Sequence, residues 1–167
     1  MALGKAKDAD ALFRNILRYD KENMVALRGL ALAAAALGQK SRAVKFDQKA
    51  DKQEARNHCN NAEKASEKAS YQEAIECYQK AIEVDADNLY AIWGLAECYA
   101  SLDDKKIAAE WYQRYLDIEP DEPEAMHMLS AMGVSTPPDR ASEAYISTLF
   151  DRFAPDFDEL FYTRRLN

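Results

Sequence analysis

The chain has 167 residues, a length that suits one domain or a short array of repeats. Its formal net charge is −7 and it has no dense Lys/Arg run, which argues against a nucleic-acid-binding surface. No stretch approaches the roughly 18 apolar residues of a membrane span. The three cysteines, Cys59, Cys77 and Cys98, form no CxxC pair, so a reducing cytoplasmic setting without disulfides is expected.

All five prolines lie at or after Pro120, so the chain before it lacks the strongest helix breaker and reads as all-α. Residues 1–23 form a partial unit. Ala9, Phe13, Ile16 and Leu17 carry the helical spacing of the second helix of a helix–turn–helix pair, and 20–23 is its closing turn. The matching first helix would have to precede Met1, so the chain reads as a fragment; the other reading is a helix that caps the array unaided.

Residues 24–54 form the next unit. Its first helix spans 24–37, with Leu27, Leu30, Ala31 and Ala34 on the packing face, and Gly38 ends it. Ser41 is the expected N-cap of a second helix carrying Ala43, Phe46 and Ala50. The period is 34: it separates Ala9 from Ala43 and Ile16 from Ala50.

Then the register slips. Ala43 and Ala74 are 31 apart, and the three missing residues fall where a turn between units should stand. Two readings stay open. In one, two helices fuse into a single helix from about Ser41 to about Ala69, roughly 40–45 Å long. The N-terminal helices would then swing away and expose apolar faces. The cheapest cover is a second copy of the chain, giving a homodimer through exchanged N-terminal helices. In the other, a shortened turn near residues 51–53 keeps an ordinary superhelix.

The unit at 55–88 has an unusually polar first helix, with Asn61 where Leu30 and Leu95 stand in its neighbours. Its second helix, 71–84, carries Ala74, Ile75, Tyr78, Ala81 and Ile82. The unit at 89–122 is the clearest. Ile92, Leu95, Ala96 and Tyr99 mark one helix, and Ala108, Trp111, Tyr112 and Leu116 mark the next. Asp103-Asp104 forms the turn between them, and Pro120 ends the pair. A capping helix at 123–133 opens on Pro123, uses Met126, Leu129 and Met132 as its cover, and stops at Gly133. Residues 134–138 read as a linker. Residues 139–167 read as a helical extension leading toward an absent domain.

Ala74 and Ala108, Tyr78 and Tyr112, and Ala62 and Ala96 are each 34 apart. Together with Leu95, Ala96, Tyr99, Ala108, Tyr112 and Pro120 in order, this resembles the tetratricopeptide repeat family. Tyr115 departs from the pattern, which usually has Ala there. The resemblance implies an all-α tetratricopeptide array, a superhelical solenoid with a C-terminal helical extension. It implies a non-catalytic scaffold that holds a protein or peptide ligand on the concave face formed by the first helices, with no cofactor. By position, Arg28, Leu32, Arg56, Glu63, Tyr90, Trp93, Glu97 and His127 are the candidate partner-binding residues, with Val25 and Cys59 on the same face. Trp93 offers the largest area and one donor, or else packs on a neighbouring helix.

Residues 138–167 carry a second resemblance. Pro138, Arg140-Ala141, Tyr145, Leu149-Phe150-Asp151 and Phe157-Asp158 look like the segment joining tetratricopeptide repeats to a methyltransferase domain in a group of bacterial proteins. This implies an alternative role as the interaction or oligomerisation arm of an S-adenosylmethionine-dependent methyltransferase whose catalytic domain lies beyond residue 167. No glycine follows Gly133, so this chain itself lacks the glycine-rich turn such a cofactor needs.

Other constellations read as structural. His58 and Cys59, beside Cys98, are adjacent on a helix and point about 100° apart, so no metal site is expected. Asp103-Asp104 and Asp121-Glu122 sit in turns, where capping and solubility explain them. No catalytic residue is expected.

Overall fold

The computed structural model describes residues 2–133, and no strand occurs among them. Seven helices are described: α1 Ala2–Tyr19, α2 Met24–Ala36, α3 Lys40–Ser66, α4 Tyr71–Val84, α5 Leu89–Ser101, α6 Lys105–Ile118 and α7 Pro123–Ala131. The architecture is an all-α helical repeat. The described residues divide into two compact units, with the division between Cys98 and Tyr99. The linker at 134–138, the extension at 139–167 and the methyltransferase resemblance at 138–167 all lie outside the described residues.

In the first unit α1 packs on α2, α2 on α3 and α3 on α4. Alanine dominates the contacts: Ala26, Ala34, Ala50, Ala55, Ala62, Ala74, Ala81 and Ala91 are fully buried. Small side chains let helix axes approach, and Leu27, Leu30, Ile75, Tyr78, Ile92 and Leu95 fill the remaining space. In the second unit α6 packs on α7, with Ala108, Ala109 and Tyr112 buried on α6 and Ala125 and Leu129 on α7.

The ends of the helices repeat as closely as their faces. Asn23 caps α2 by accepting from the Ala26 N–H at 2.9 Å, and its amide donates to Asp20 at 3.1 Å. Asn88 does the same for α5, accepting from the Ala91 N–H at 3.0 Å and donating to Asp85 at 3.2 Å. At the other kind of turn, Gly38, Ala69 and Asp103 all take a left-handed backbone, with φ of 75°, 56° and 61°. Each is followed by a residue whose N–H reaches back over the turn: Gln39 to Ala34, Ser70 to Ala65 and Asp104 to Tyr99.

The slip in period is resolved as a continuous helix: α3 runs through residues 51–54 without a break. At 27 residues it is about 40 Å long. Three local expectations need correction. Ser41 does not cap α3, which starts at Lys40 after Gln39 with no side-chain cap. Ile16 is 40% exposed rather than packed. α1 packs on α2 with Phe13 lying on Gly29, Ala6 is buried, and Leu12, Ile16 and Tyr19 are exposed. Met126 is also exposed, because Ala125 and Leu129 are the α7 residues that reach the interior of the second unit.

Candidate functional site

A concavity lies in the first unit, between the middle of α3 and the turn that opens α5. It has a volume of about 540 Å³ and is lined by Lys52, Arg56, Cys59, Asn60, Asp85, Asp87, Asn88, Leu89 and Tyr90. The wall from α3 follows from helical spacing: 52, 56, 59 and 60 fall on one face. The opposite wall is positioned by the Asn88 cap, which fixes where the chain turns into α5.

The walls differ in charge. Lys52 and Arg56 stand on α3, and Asp85 and Asp87 on the turn. Arg56 is partly engaged, donating to Glu22 at 3.0 Å. The Cys59 thiol is buried at the floor and donates to the Asn88 carboxamide oxygen at 3.7 Å. Burial pushes that thiol up to about 11, with the nearby Asp85 charge adding to it, so it stays protonated and is a poor nucleophile. The Tyr90 hydroxyl donates to Glu63 at 3.0 Å across from α5 to α3. Burial and that hydrogen bond raise its phenol above the ordinary value. Its ring stays 53% exposed at the rim, with the buried Tyr78 ring behind it at 6.4 Å.

Three sequence-predicted residues, Arg56, Cys59 and Tyr90, therefore line this groove, and Glu63 is tied to it through Tyr90. Arg28 and Leu32 belong to a different surface. Arg28 on α2 binds Asp47 at 2.6 Å, Asp51 at 2.7 Å and Glu54 at 3.0 Å. These carboxylates, Asp47 above all, raise its pKa further. Val25 and Leu32 flank Arg28 on α2 and are each 74% exposed. Trp93 is half-buried and Glu97 exposed on α5. His127 is half-buried on α7, in the second unit.

Lys52, Asn60, Asp85, Asp87, Asn88 and Leu89 were not among the residues expected from position. The signal that points to part of this set is the recurrence of Asp-x-x-Asn: Asp20 with Asn23, and Asp85 with Asn88, at the start of a first helix. A second depression of about 780 Å³ is lined by Ala11, Leu12, Arg14, Asn15, Leu17, Arg18, Leu30 and Phe46, and holds none of the predicted residues. Among the described residues, no group of three or more His, Cys, Asp or Glu is placed to hold a metal ion. No described helix is long and apolar enough to cross a membrane.

Residues 1–57 match the tetratricopeptide repeat family, and residues 63–133 match the family of regulator of microtubule dynamics protein 1-3. No curated protein matches the chain. Among solved structures, the chain is similar to a crystal structure of MamA at 20% identity, over 78% of this chain and 81% of that one, with a TM-score of 0.48. It is similar to a second crystal structure of MamA protein at 20% identity, over 93% and 86%, with a TM-score of 0.48. A MamA RS-1 ArsTM double mutant is similar at 20% identity, over 78% and 75%, with a TM-score of 0.45.

Proposed function

We propose that this helical repeat chain is a non-catalytic scaffold that binds a protein or peptide, using the groove between α3 and the start of α5. The observation that carries the reading is the groove itself. It pairs an exposed tyrosine rim with two walls of opposite charge, and a capped helix end and the Tyr90–Glu63 hydrogen bond hold it in shape. Tyrosine supplies contact area at low cost in side-chain freedom, which suits it to an anchoring role. Lys52 and Arg56 on one side and Asp85 and Asp87 on the other select a segment of mixed charge. The tetratricopeptide match over residues 1–57 supports the scaffold role, and a cytoplasmic setting fits the reduced cysteines. Peptides selected from a displayed library against the full chain test this. Binders should lose at least about tenfold in affinity with Tyr90→Ala, the scale of one hot-spot truncation. Binders that ignore both Tyr90→Ala and Arg56→Glu would sink the groove as the site.

The match over residues 63–133 favours a second reading of the partner. Because that family is named for regulating microtubule dynamics, microtubules are the partner to try first. Cosedimentation of the full chain with assembled microtubules, lost on Tyr90→Ala, would support it; no cosedimentation would end it. A homodimer through exchanged N-terminal helices is the partner expected of a fused helix; the exposed polar Asp47, Asn60 and Asn61 on α3 weigh against it, and the native mass of the chain tests it. The methyltransferase arm rests on residues 138–167 and is tested by fusion to, or isolation with, a catalytic domain.

A further inference from the structure

We infer that α3 is a fixed rod: a boundary between two repeats has become continuous helix, and the face that repeat stacking would bury there is given to solvent. Two independent observations carry this. The first is the length of chain available for a turn. The turns before α2, α5 and α7 each take four residues, 20–23, 85–88 and 119–122. Tyr19, the last residue of α1, has its equivalent one repeat period later at Gln53. Leu89, the first residue of α5, has its equivalent one period earlier at Ala55. Only Glu54 remains between them, so a turn would have to consume helix from both sides. The segment Asp51-Lys52-Gln53-Glu54 still echoes Asp20-Lys21-Glu22-Asn23. In the folded chain Asp51 and Glu54 cap nothing and instead bind Arg28 from α2.

The second observation is packing. At each regular boundary in the first unit an aromatic residue of one helix lies on a glycine of the next. A Cβ on Gly29 would meet the Phe13 ring at 2.3 Å, and one on Gly94 would meet the Tyr78 ring at 2.2 Å. The equivalent pair across the α3 boundary is Asp47, one period after Phe13, and Asn60, one period before Gly94. Both are exposed. Beside them Asn61 is exposed where its equivalent Leu95 is fully buried. A chain bent at residues 51–54, or a second copy seated by helix exchange, would press an ionised carboxylate against an amide and bury Asn61. Neither has the aromatic and glycine that close the other two boundaries.

Paramagnetic labels carried by non-natural residues at Lys45 and Lys64, both exposed, read the rod directly in the full chain. Continuous helix between these positions puts the two backbones about 28 Å apart. A helix pair folded back at residues 51–54 would bring them to about 10 Å. A single distance near the longer value supports the rod, and any population at the shorter one overturns it. Native mass, measured for the wild type and for Asn61→Lys, reads the solvated face. Equal masses support the inference, whatever the oligomeric state. A mass that falls on Asn61→Lys would mean that a second copy covers this face, and would overturn it.

Discussion

Gly94 and Tyr78 share one volume. A methyl group on Gly94 would stand 2.2 Å from the ζ carbon of the Tyr78 ring, and that ring is only 5% exposed. Glycine costs a helix about 1 kcal/mol relative to alanine, yet here it is what lets α5 close on α4. Gly94→Ala should therefore destabilise the chain by about 1–2 kcal/mol despite the better helix former, because overpacking outweighs propensity. Gly4→Ala, with nothing within 4 Å, should be neutral or slightly stabilising. Urea denaturation of both variants checks the pair. In a Tyr78→Leu background the Gly94→Ala penalty should shrink, which a double-mutant cycle would read.

Ala69 is an L-residue held at φ 56°, the place that Gly38 takes in the preceding repeat. The left-handed conformation costs a side chain roughly 1–2 kcal/mol. Glycine adopts it freely but loses more freedom on folding. Ala69→Gly should stabilise by about 0.5–1 kcal/mol, seen as a rise of a few degrees in Tm. A fall in Tm would mean that the methyl group makes a contact worth more than the strain.

Arg28 gathers Asp47, Asp51 and Glu54, which lie on one face of α3 at helical spacing. These pairs are solvent-exposed, so Arg28→Ala should cost no more than about 1 kcal/mol at physiological salt. The three carboxylates left behind repel one another. The variant should accordingly gain stability relative to wild type as salt is added, since screening weakens the attraction in one and the repulsion in the other. Thermal melts at low and high sodium chloride would show the gap closing; a gap independent of salt would assign the role of Arg28 to packing.

The buried Cys59 thiol gives a signed pH dependence. Its folded pKa, about 11, lies above the ordinary thiol value of 9.0 because burial disfavours the thiolate. The unfolded chain therefore releases this proton first as pH rises. The stabilising contribution is intact below pH 9 and is lost between about pH 9 and 11, a change on the order of 2 kcal/mol. Comparing the pH slope of stability for wild type and Cys59→Ala isolates it from Tyr78, Tyr90 and Cys98, whose burial shifts act in the same direction. In the native chain at neutral pH, Cys77, which is partly exposed, should react with a thiol reagent before the buried Cys59 and Cys98.

By itself the sequence determined the fold class and nearly every helix. Helical periodicity is a local property, and each face here is written in alanine, leucine and tyrosine at a fixed spacing. The absence of proline before Pro120 and the regular repeat of alanine and tyrosine positions were enough to place α2, α4, α5 and α6, and Pro123 and Gly133 bracketed α7. The same sequence left the junction at residues 51–54 open between a turn and a fused helix. Local propensity permits both, and the choice depends on whether Asp51 and Glu54 cap a helix or pair with Arg28 on the preceding one. Only the tertiary structure decided it for the helix. The groove was also half legible. Position alone pointed to Arg56, Cys59 and Tyr90, because they lie on first-helix faces. Asp85 had only the recurring Asp-x-x-Asn to mark it, and Asp87 and Lys52 entered through the path of the turn and the straightness of α3. A concavity is made by elements distant in sequence, and its outline follows from how they pack rather than from any one of them.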